Sequence, residues 1–201
     1  MEAASTRQLS GEKAQRIVAA MRASVGERGA AASTFDVVAR EAGVSRGLLH
    51  YYFGSKERLL VEVVRRDCDI RMALLDEAFA MSQSADELID ALVRSLDDLV
   101  QNDPGFIALV FEVFTTSRHN DELAAEFAGL LRRIREHVAG LLAGKRDEGV
   151  ISLGGGPDAI AVVLFSLADG LALRMLSEPE HDYGPTVEAG VTAVRSLIRP
   201  A

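Results

Sequence analysis

The sequence has few of the features that define several common classes of protein. Its 201 residues include a single cysteine, Cys68, so no disulfide can form within the chain. No uninterrupted apolar run reaches the roughly 18 residues of a membrane-spanning helix. The first residues, MEAASTRQLSGEK, also lack the apolar core of a secretion signal. We therefore expect a cytoplasmic protein that does not enter a membrane.

Patterns typical of catalytic and metal sites are also lacking. The four histidines, at positions 50, 119, 137 and 181, show no metal-ligand spacing with one another or with Cys68. The segment GGGPD at 154–158 is not followed by the Lys and Ser or Thr of a phosphate-binding loop. No nucleophile motif or carboxylate pair can be named either. The sequence thus predicts no metal, no cofactor and no enzymatic activity.

Charge is unevenly distributed along the chain. The formal net charge is -8, which argues against a protein that coats nucleic acid indiscriminately. Residues 1–60 nevertheless contain 9 Lys and Arg against 6 Asp and Glu, whereas residues 61–201 contain 13 against 24. A basic N-terminal part is therefore followed by a strongly acidic one.

Apolar residues recur with a helical period along almost the whole chain, and no alternating run is long enough to indicate a strand. A composition of 48% hydrophobic and 26% charged residues is typical of a globular protein. We predict an all-α fold of about nine helices, with residues 145–158 forming a loop. The predicted helices cover about 11–28, 34–42, 45–54, 55–79, 85–101, 104–117, 121–144, 157–177 and 185–199.

The second and third predicted helices are short and are joined by a tight turn at Gly43. This arrangement indicates either a helix-turn-helix or an ordinary helical hairpin. If Val44, Leu49 and Phe53 face the core, a polar and aromatic set is left on the outer surface. That set, unsuited to packing, consists of Arg46, Gly47, Leu48, His50, Tyr51 and Tyr52.

A helix that enters the major groove of DNA explains such a surface. Arg46 could contact guanine, Leu48 could pack on a thymine methyl, and the tyrosines could donate to phosphates or base edges. Lys56, in the first turn of the fourth helix, is unfavourably placed for the helix dipole unless a phosphate lies there. Thr34 offers a similar anchor at the start of the second helix. Leu48, Tyr51 and Tyr52 could instead be half-buried packing residues.

The segment TFDVVAREAGVSRGLLHYYFGSKERLL, residues 34–60, resembles the DNA-binding segment of the TetR family of bacterial repressors. The shared features are the opening Thr, the Ala-x-x-Ala-Gly-Val-Ser turn, the aromatic cluster ending in Phe53 and the Lys-Glu-x-Leu-Leu helix start. The resemblance implies a three-helix DNA-binding domain over residues 1–55 and a helical effector-binding and dimerisation domain over 56–201. It implies DNA contacts from Thr34, Ser45, Arg46, Gly47, Leu48, His50, Tyr51, Tyr52 and Lys56.

The resemblance also implies a homodimer formed through the last two long helices. Residues 157–176 are apolar almost all round, so this helix must be covered on more than one side. Val187, Val191, Val194 and Ile198 form a stripe that could complete a four-helix interface. A monomeric core that closes alone is the alternative.

A small effector is the third expectation that the resemblance carries. Apolar side chains could line its pocket, although a filled core is the commoner use of such residues. Glu112, Arg118, His137 and Asp169 are candidates for the polar group that orients it. The predicted effector contacts are Phe79, Phe106, Phe111, Phe114, Arg118, Phe165, Asp169 and Met175.

Together these patterns predict a ligand-responsive transcriptional regulator. We expect a repressor that binds a palindromic double-stranded operator as a dimer and is released by a small molecule. A carrier of small molecules or lipids with the same fold, which does not read DNA, is the alternative. A small helical enzyme is a third hypothesis, with no catalytic constellation to support it.

Overall fold

The computed structural model describes residues 11–201, which are almost entirely helical. Within this range lie nine helices and two short strands, and the all-α prediction is confirmed. In chain order they are α1 (Glu12–Ala32), α2 (Phe35–Ala42), α3 (Arg46–Phe53), α4 (Lys56–Met81), α5 (Ala85–Asn102), α6 (Pro104–Ser117), α7 (Asp121–Asp147), β1 (Ile151–Leu153), α8 (Pro157–Ser177), α9 (Gly184–Leu197) and β2 (Ile198–Pro200).

Glycines stop or bend the helices near the predicted ends. Gly29, where the sequence predicts the end of the first helix, has a φ of 77° and kinks α1 before its last residues. Gly43 ends α2 in the left-handed conformation, with a φ of 64°. Residues with a Cβ rarely adopt such angles, so both glycines are required by the backbone.

The C-terminal end differs from the prediction. Helix α9 ends at Leu197, and the next residues form β2, which pairs antiparallel with β1. Ile198 pairs with Leu153 and is almost fully buried within its own chain. It therefore cannot continue the apolar stripe of Val187, Val191 and Val194 on α9. Strands of three residues are too short to show an alternating pattern.

The described chain packs as two compact units. Residues 11–67 and 108–128 form the first, and residues 68–107 and 129–201 form the second. Helices α4, α6 and α7 each contribute to both. The predicted boundary between a DNA-binding domain and an effector-binding domain, placed between residues 55 and 56, stays a prediction. Residues 1–10 of the first predicted domain lie outside the described residues.

In the first unit, α1 packs on α2 and α2 packs on α3. Their buried faces include Ile17 and Met21 from α1, Val38 from α2 and Leu49 from α3. This core fixes the orientation of α3, whose eight residues are too few to form a stable helix alone.

In the second unit a core of apolar side chains joins α4, α5, α7, α8 and both strands. Phe79, Leu88, Leu142, Ile151 and Ile160 are among its most buried members. Helix α8 contributes only one face to this core. Its other face exposes Val162, Val163, Leu167 and Leu173.

Helix α8 is unusually apolar for its length. Its 21 residues are long and apolar enough, by length and composition, to cross a membrane. Its apolar residues do not form one uninterrupted run, because Asp169 and Arg174 lie among them. A helix covered by a partner subunit meets the same criterion, so the property alone assigns no membrane.

Candidate nucleic-acid interface

The turn between α2 and α3 is held by backbone hydrogen bonds. The N–H of Val44 donates to the carbonyl of Ala39 at 3.0 Å, and Gly43 donates to Arg40 at 3.3 Å. The hydroxyl of Thr34 accepts from the N–H of Val37 at 3.4 Å and so caps α2, as predicted. Ser45 occupies the cap position of α3, but its side chain makes no capping hydrogen bond.

Helix α3 has a buried face and an exposed face. Leu49 is 0% exposed and Phe53 is also buried, which confirms the predicted core side, while Val44 is half-buried. We call the opposite surface the outer face of α3: Arg46, Gly47, Leu48, His50, Tyr51 and Tyr52. Within it, Tyr51 is 63% exposed, whereas Leu48 and Tyr52 are half-buried. An eight-residue helix thus presents a cation, two phenols and an imidazole at the surface.

The rings on the outer face are ordered by their neighbours. The ring of Tyr51 contacts that of Tyr52 edge to face, with centroids 5.4 Å apart. His50 contacts Phe35 in the same way at 4.8 Å. Its Nδ1 lies 3.1 Å from the carbonyl of Gly54, so we assign the proton to Nδ1 as the donor. In that tautomer Nε2 is the acceptor of the ring.

Arg46 has a partner within its own chain. Its Nη1 donates to both carboxylate oxygens of Asp36, at 3.2 and 3.1 Å. Both side chains are well exposed, 59% for Arg46 and 68% for Asp36. Exposed ion pairs of this kind are worth about 0–1 kcal/mol, so the guanidinium remains able to exchange partners.

Lys56 also has a partner that the sequence did not reveal. Its Nζ donates to the carbonyl of Ala31, near the C-terminal end of α1, at 3.2 Å. This hydrogen bond gives the ammonium of Lys56 a partner within its own chain without a phosphate. Its contact with DNA stays a prediction, as do the contacts of Thr34, Ser45 and the outer face of α3.

The residues predicted to bind an effector are spread over both units. Phe111, Phe114 and Arg118 belong to the first unit, and Phe79, Phe106, Phe165, Asp169 and Met175 to the second. Phe79 is a core residue, whereas Phe114 is 47% exposed. Phe106 is buried below the guanidinium of Arg71, which lies 4.7 Å from its ring centroid. Their role in effector binding remains a prediction.

Asp169 differs from the other predicted effector contacts in having a raised pKa. Neighbouring side chains partly desolvate its carboxyl and raise the pKa above the ordinary value of 3.8, although the residue as a whole is exposed in the single chain. The loss of hydrating water around the carboxyl disfavours its charged form.

The second unit also contains a cleft between α4 and α7 that sequence reasoning missed. It has a volume of about 210 Å³ and is lined by Asp69, Met72, Ala73, Asp76, Arg133, Ile134 and His137. Nε2 of His137 lies 2.6 Å from a carboxylate oxygen of Asp76, and Arg133 pairs with Asp69 at 2.8 Å. Of these residues only His137 was a candidate from the sequence. The partners in each pair lie more than 60 positions apart, a separation for which a periodic pattern gives no signal.

Two family models match this chain. Residues 17–63 match the model described as bacterial regulatory proteins, tetR family. Residues 85–199 match the model described as BetI-type transcriptional repressor, C-terminal. The second match alone covers more than half of the sequence.

Individual relatives agree with the family models. The HTH-type transcriptional regulator BetI of Rhizobium meliloti is 31% identical over 153 residues, which cover 75% of this chain and 71% of that protein. The HTH-type transcriptional regulator UidR of Escherichia coli K12 is 26% identical over 167 residues, which cover 83% and 81%. Both are named as regulators and not as enzymes.

Solved structures share the fold. FadR from Bacillus subtilis, in complex with stearoyl-CoA, has a TM-score of 0.71 at 18% identity, covering 91% of this chain and 98% of that one. The multidrug binding protein EbrR, complexed with imidazole, has a TM-score of 0.69 at 23% identity, covering 97% and 95%. The chain therefore belongs to the tetR family of bacterial regulatory proteins, a family of DNA-binding transcriptional regulators.

Proposed function

We propose that the protein is a ligand-responsive repressor that acts in the bacterial cytoplasm. It binds a palindromic operator as a homodimer and is released by a small-molecule effector. The observation that carries the proposal is the outer face of α3, which keeps an arginine, a histidine and a tyrosine exposed while Leu49 and Phe53 are buried. A helix used only for packing has no need of such a surface.

Each residue of the outer face has a role that fits the major groove. Arg46 contacts guanine, Gly47 lets the backbone approach closely, and Leu48 packs on a thymine methyl. The phenols of Tyr51 and Tyr52 donate hydrogen bonds to phosphates, and Nε2 of His50 can accept a hydrogen bond from the amino group of a base.

Contacts with phosphates hold the helix in register. Lys56 supplies a cation beside the first turn of α4, and Thr34 and Ser45 supply hydroxyls at the starts of α2 and α3. Lys56 can leave its exposed carbonyl partner for a phosphate at small cost, because a neutral acceptor binds an ammonium less strongly than an anion does.

The dimer is proposed to form through α8 and α9. Helix α8 exposes Val162, Val163, Leu167 and Leu173 on one side, and no residue of α9 is fully buried within the chain. A two-fold interface would cover both helices as a four-helix bundle. It would also place two α3 helices about one DNA turn apart, roughly 34–36 Å, or a multiple of that spacing.

The effector is proposed to bind the second unit. FadR and EbrR are described with an acyl-CoA and with imidazole bound, so the shared fold accommodates small molecules of different chemistry. The predicted apolar contacts and the cleft between α4 and α7 are the two candidate locations. Release from the operator requires that the effector binds more tightly to a dimer whose two α3 helices have a spacing unsuited to DNA than to one whose spacing fits it.

The test replaces Tyr52 and Lys56 together with Ala and measures binding to the palindrome near the protein's own gene by fluorescence anisotropy at several salt concentrations. We expect weaker binding and a shallower salt dependence, by about 0.9 in the log-log slope for each phosphate that the variant no longer neutralises. The matched control replaces Tyr183 and Arg146 with Ala, one phenol and one exposed cation in the second unit, and should bind as the wild type does.

Two results would instead support the alternative function, a carrier of small molecules or lipids that does not read DNA. If the wild type shows no salt-dependent preference for the palindrome, or if the Tyr52 and Lys56 variant binds unchanged, the DNA-reading proposal is wrong.

A further inference from the structure

An ion pair joins the first turns of α2 and α3. Asp36 is the second residue of α2, and Arg46 is the first residue of α3. Because water surrounds both side chains, the pair contributes little to folding stability. Its value has to be sought in what it does to the guanidinium.

The geometry leaves one edge of Arg46 available. Nη1 is shared between the two carboxylate oxygens of Asp36. No other residue in the described range 11–201 accepts a hydrogen bond from Nε or Nη2 of Arg46. These two nitrogens form the pair of parallel donors that matches O6 and N7 of guanine.

The partner also restrains a side chain that would otherwise be mobile. Arginine has many rotamers, and a cation in the first turn of a helix is disfavoured by the helix dipole. The carboxylate offsets that penalty and favours the orientation of the guanidinium in which Nη1 faces Asp36. Less rotamer freedom then has to be lost when a base is bound.

The same carboxylate weakens binding to DNA in general. It lies 3.1 Å from a group proposed to touch bases, well within the Debye length of about 8 Å at physiological salt. It therefore repels the phosphates of any duplex and competes with them for Arg46. A group that lowers non-specific affinity while orienting a base contact raises specificity, since specificity is a difference of affinities.

We propose that Asp36 is a positioning residue for base recognition. It biases the Nε–Nη2 edge of Arg46 toward guanine and competes with phosphates for the guanidinium. This inference rests on the proposed function, because it requires the outer face of α3 to lie in the major groove.

A simpler role for Asp36 would be to stabilise α2, since a carboxylate in the first turn interacts favourably with the helix dipole. The two roles differ in their dependence on Arg46. Stabilisation of α2 changes the melting temperature and does not depend on which base pair is bound. Positioning changes base preference and disappears when Arg46 is absent.

The experiment compares the wild type with Asp36→Asn, Arg46→Ala and the double variant. Each is titrated with the operator, with every single-base-pair variant of one half-site, and with a scrambled duplex, at several salt concentrations. The charge control is Glu27→Gln, because Glu27 lies in the same unit, is 68% exposed like Asp36, and pairs with Arg28. Circular dichroism melting of all variants checks the fold.

For Asp36→Asn we expect tighter binding to the scrambled duplex, by about two- to fivefold, since a repelling charge is removed and Arg46 is released. The salt dependence should steepen by up to about 0.9 in the log-log slope per protomer, because Arg46 then neutralises a phosphate. Preference for one G·C pair of the half-site should fall by about threefold or more. Glu27→Gln should leave that preference unchanged, and so should Asp36→Asn when Arg46 is already Ala.

Two results overturn the inference while the proposed function stands. In one, Asp36→Asn keeps the wild-type base preference although Arg46→Ala loses it. In the other, Asp36→Asn has the same effect with and without Arg46. If the wild type itself does not distinguish the operator from the scrambled duplex, the proposed function fails and the inference fails with it.

Discussion

The proposed dimer makes Leu173 the most informative position on α8. Leu173 is 45% exposed in the single chain and lies on the side of α8 that faces away from its core. Full burial of a leucine side chain contributes about 1.5–3 kcal/mol, so covering the exposed part contributes about 0.7–1.4 kcal/mol per subunit. A two-fold interface contains the residue twice, and the total is about 1.4–2.7 kcal/mol.

Replacement of Leu173 by Ala should therefore raise the dimer dissociation constant by about tenfold to a hundredfold, since 1.4 kcal/mol corresponds to a factor of ten. Leu173→Asp should weaken the dimer further. It leaves a carboxylate without a partner in each buried copy, which costs several kcal/mol more. Sedimentation equilibrium measures the dissociation constant, and circular dichroism confirms that the variants are folded.

The matched control is Leu131→Asp on α7, where the leucine is 48% exposed. The same charge is introduced at similar exposure on a helix outside the proposed interface, so the dissociation constant should stay within about twofold of the wild-type value. The reasoning is refuted if Leu173→Asp and Leu131→Asp behave alike. It is also refuted if the folded wild type is a monomer at micromolar concentration.

Two further substitutions test the core and the partly desolvated carboxyl. Leu49→Ala removes a 0% exposed side chain below the outer face of α3, and should lower the free energy of unfolding by about 2–5 kcal/mol in urea titrations without changing the dimer constant. Asp169→Asn should raise the free energy of unfolding at pH 7, because the folded state raises the pKa of this carboxyl and so disfavours its charged form. In the wild type, stability due to Asp169 should fall as the pH rises from about 3.8 through the folded pKa, and the Asn variant should lack that fall; identical pH profiles would contradict the assignment.

Much of the helical framework was predictable because its determinants are local. Helices α6 and α8 span the predicted residues 104–117 and 157–177. An apolar period of 3.6, a capping residue such as Thr34 and a glycine such as Gly43 together fix a helix from within one short segment.

The pairing of β1 with β2 was not predictable in the same way. It joins Leu153 to Ile198 across the whole of α8 and α9. Neither strand has the length to show its own period, so only the fold brings the two together. The misplacement of Ile198 in the α9 stripe followed directly from this, because a helix extended past Leu197 would have carried it onto the exposed side.

The difference between local and long-range determinants also applies to the two proposed binding surfaces, of which the sequence predicted one and not the other. The outer face of α3 comes from one short stretch, and even its hidden partner Asp36 is only ten positions from Arg46. The cleft between α4 and α7 depends on Asp76 and His137, which are 61 positions apart and meet only after the second unit has folded. The outer face of α3 is largely predictable from its residues, because the helix period indicates which side chains face outward, although Leu48 and Tyr52 are half-buried in the structure. The cleft between α4 and α7 depends on how those two long helices pack, and its charged residues resemble ordinary surface ion pairs until the packing is known.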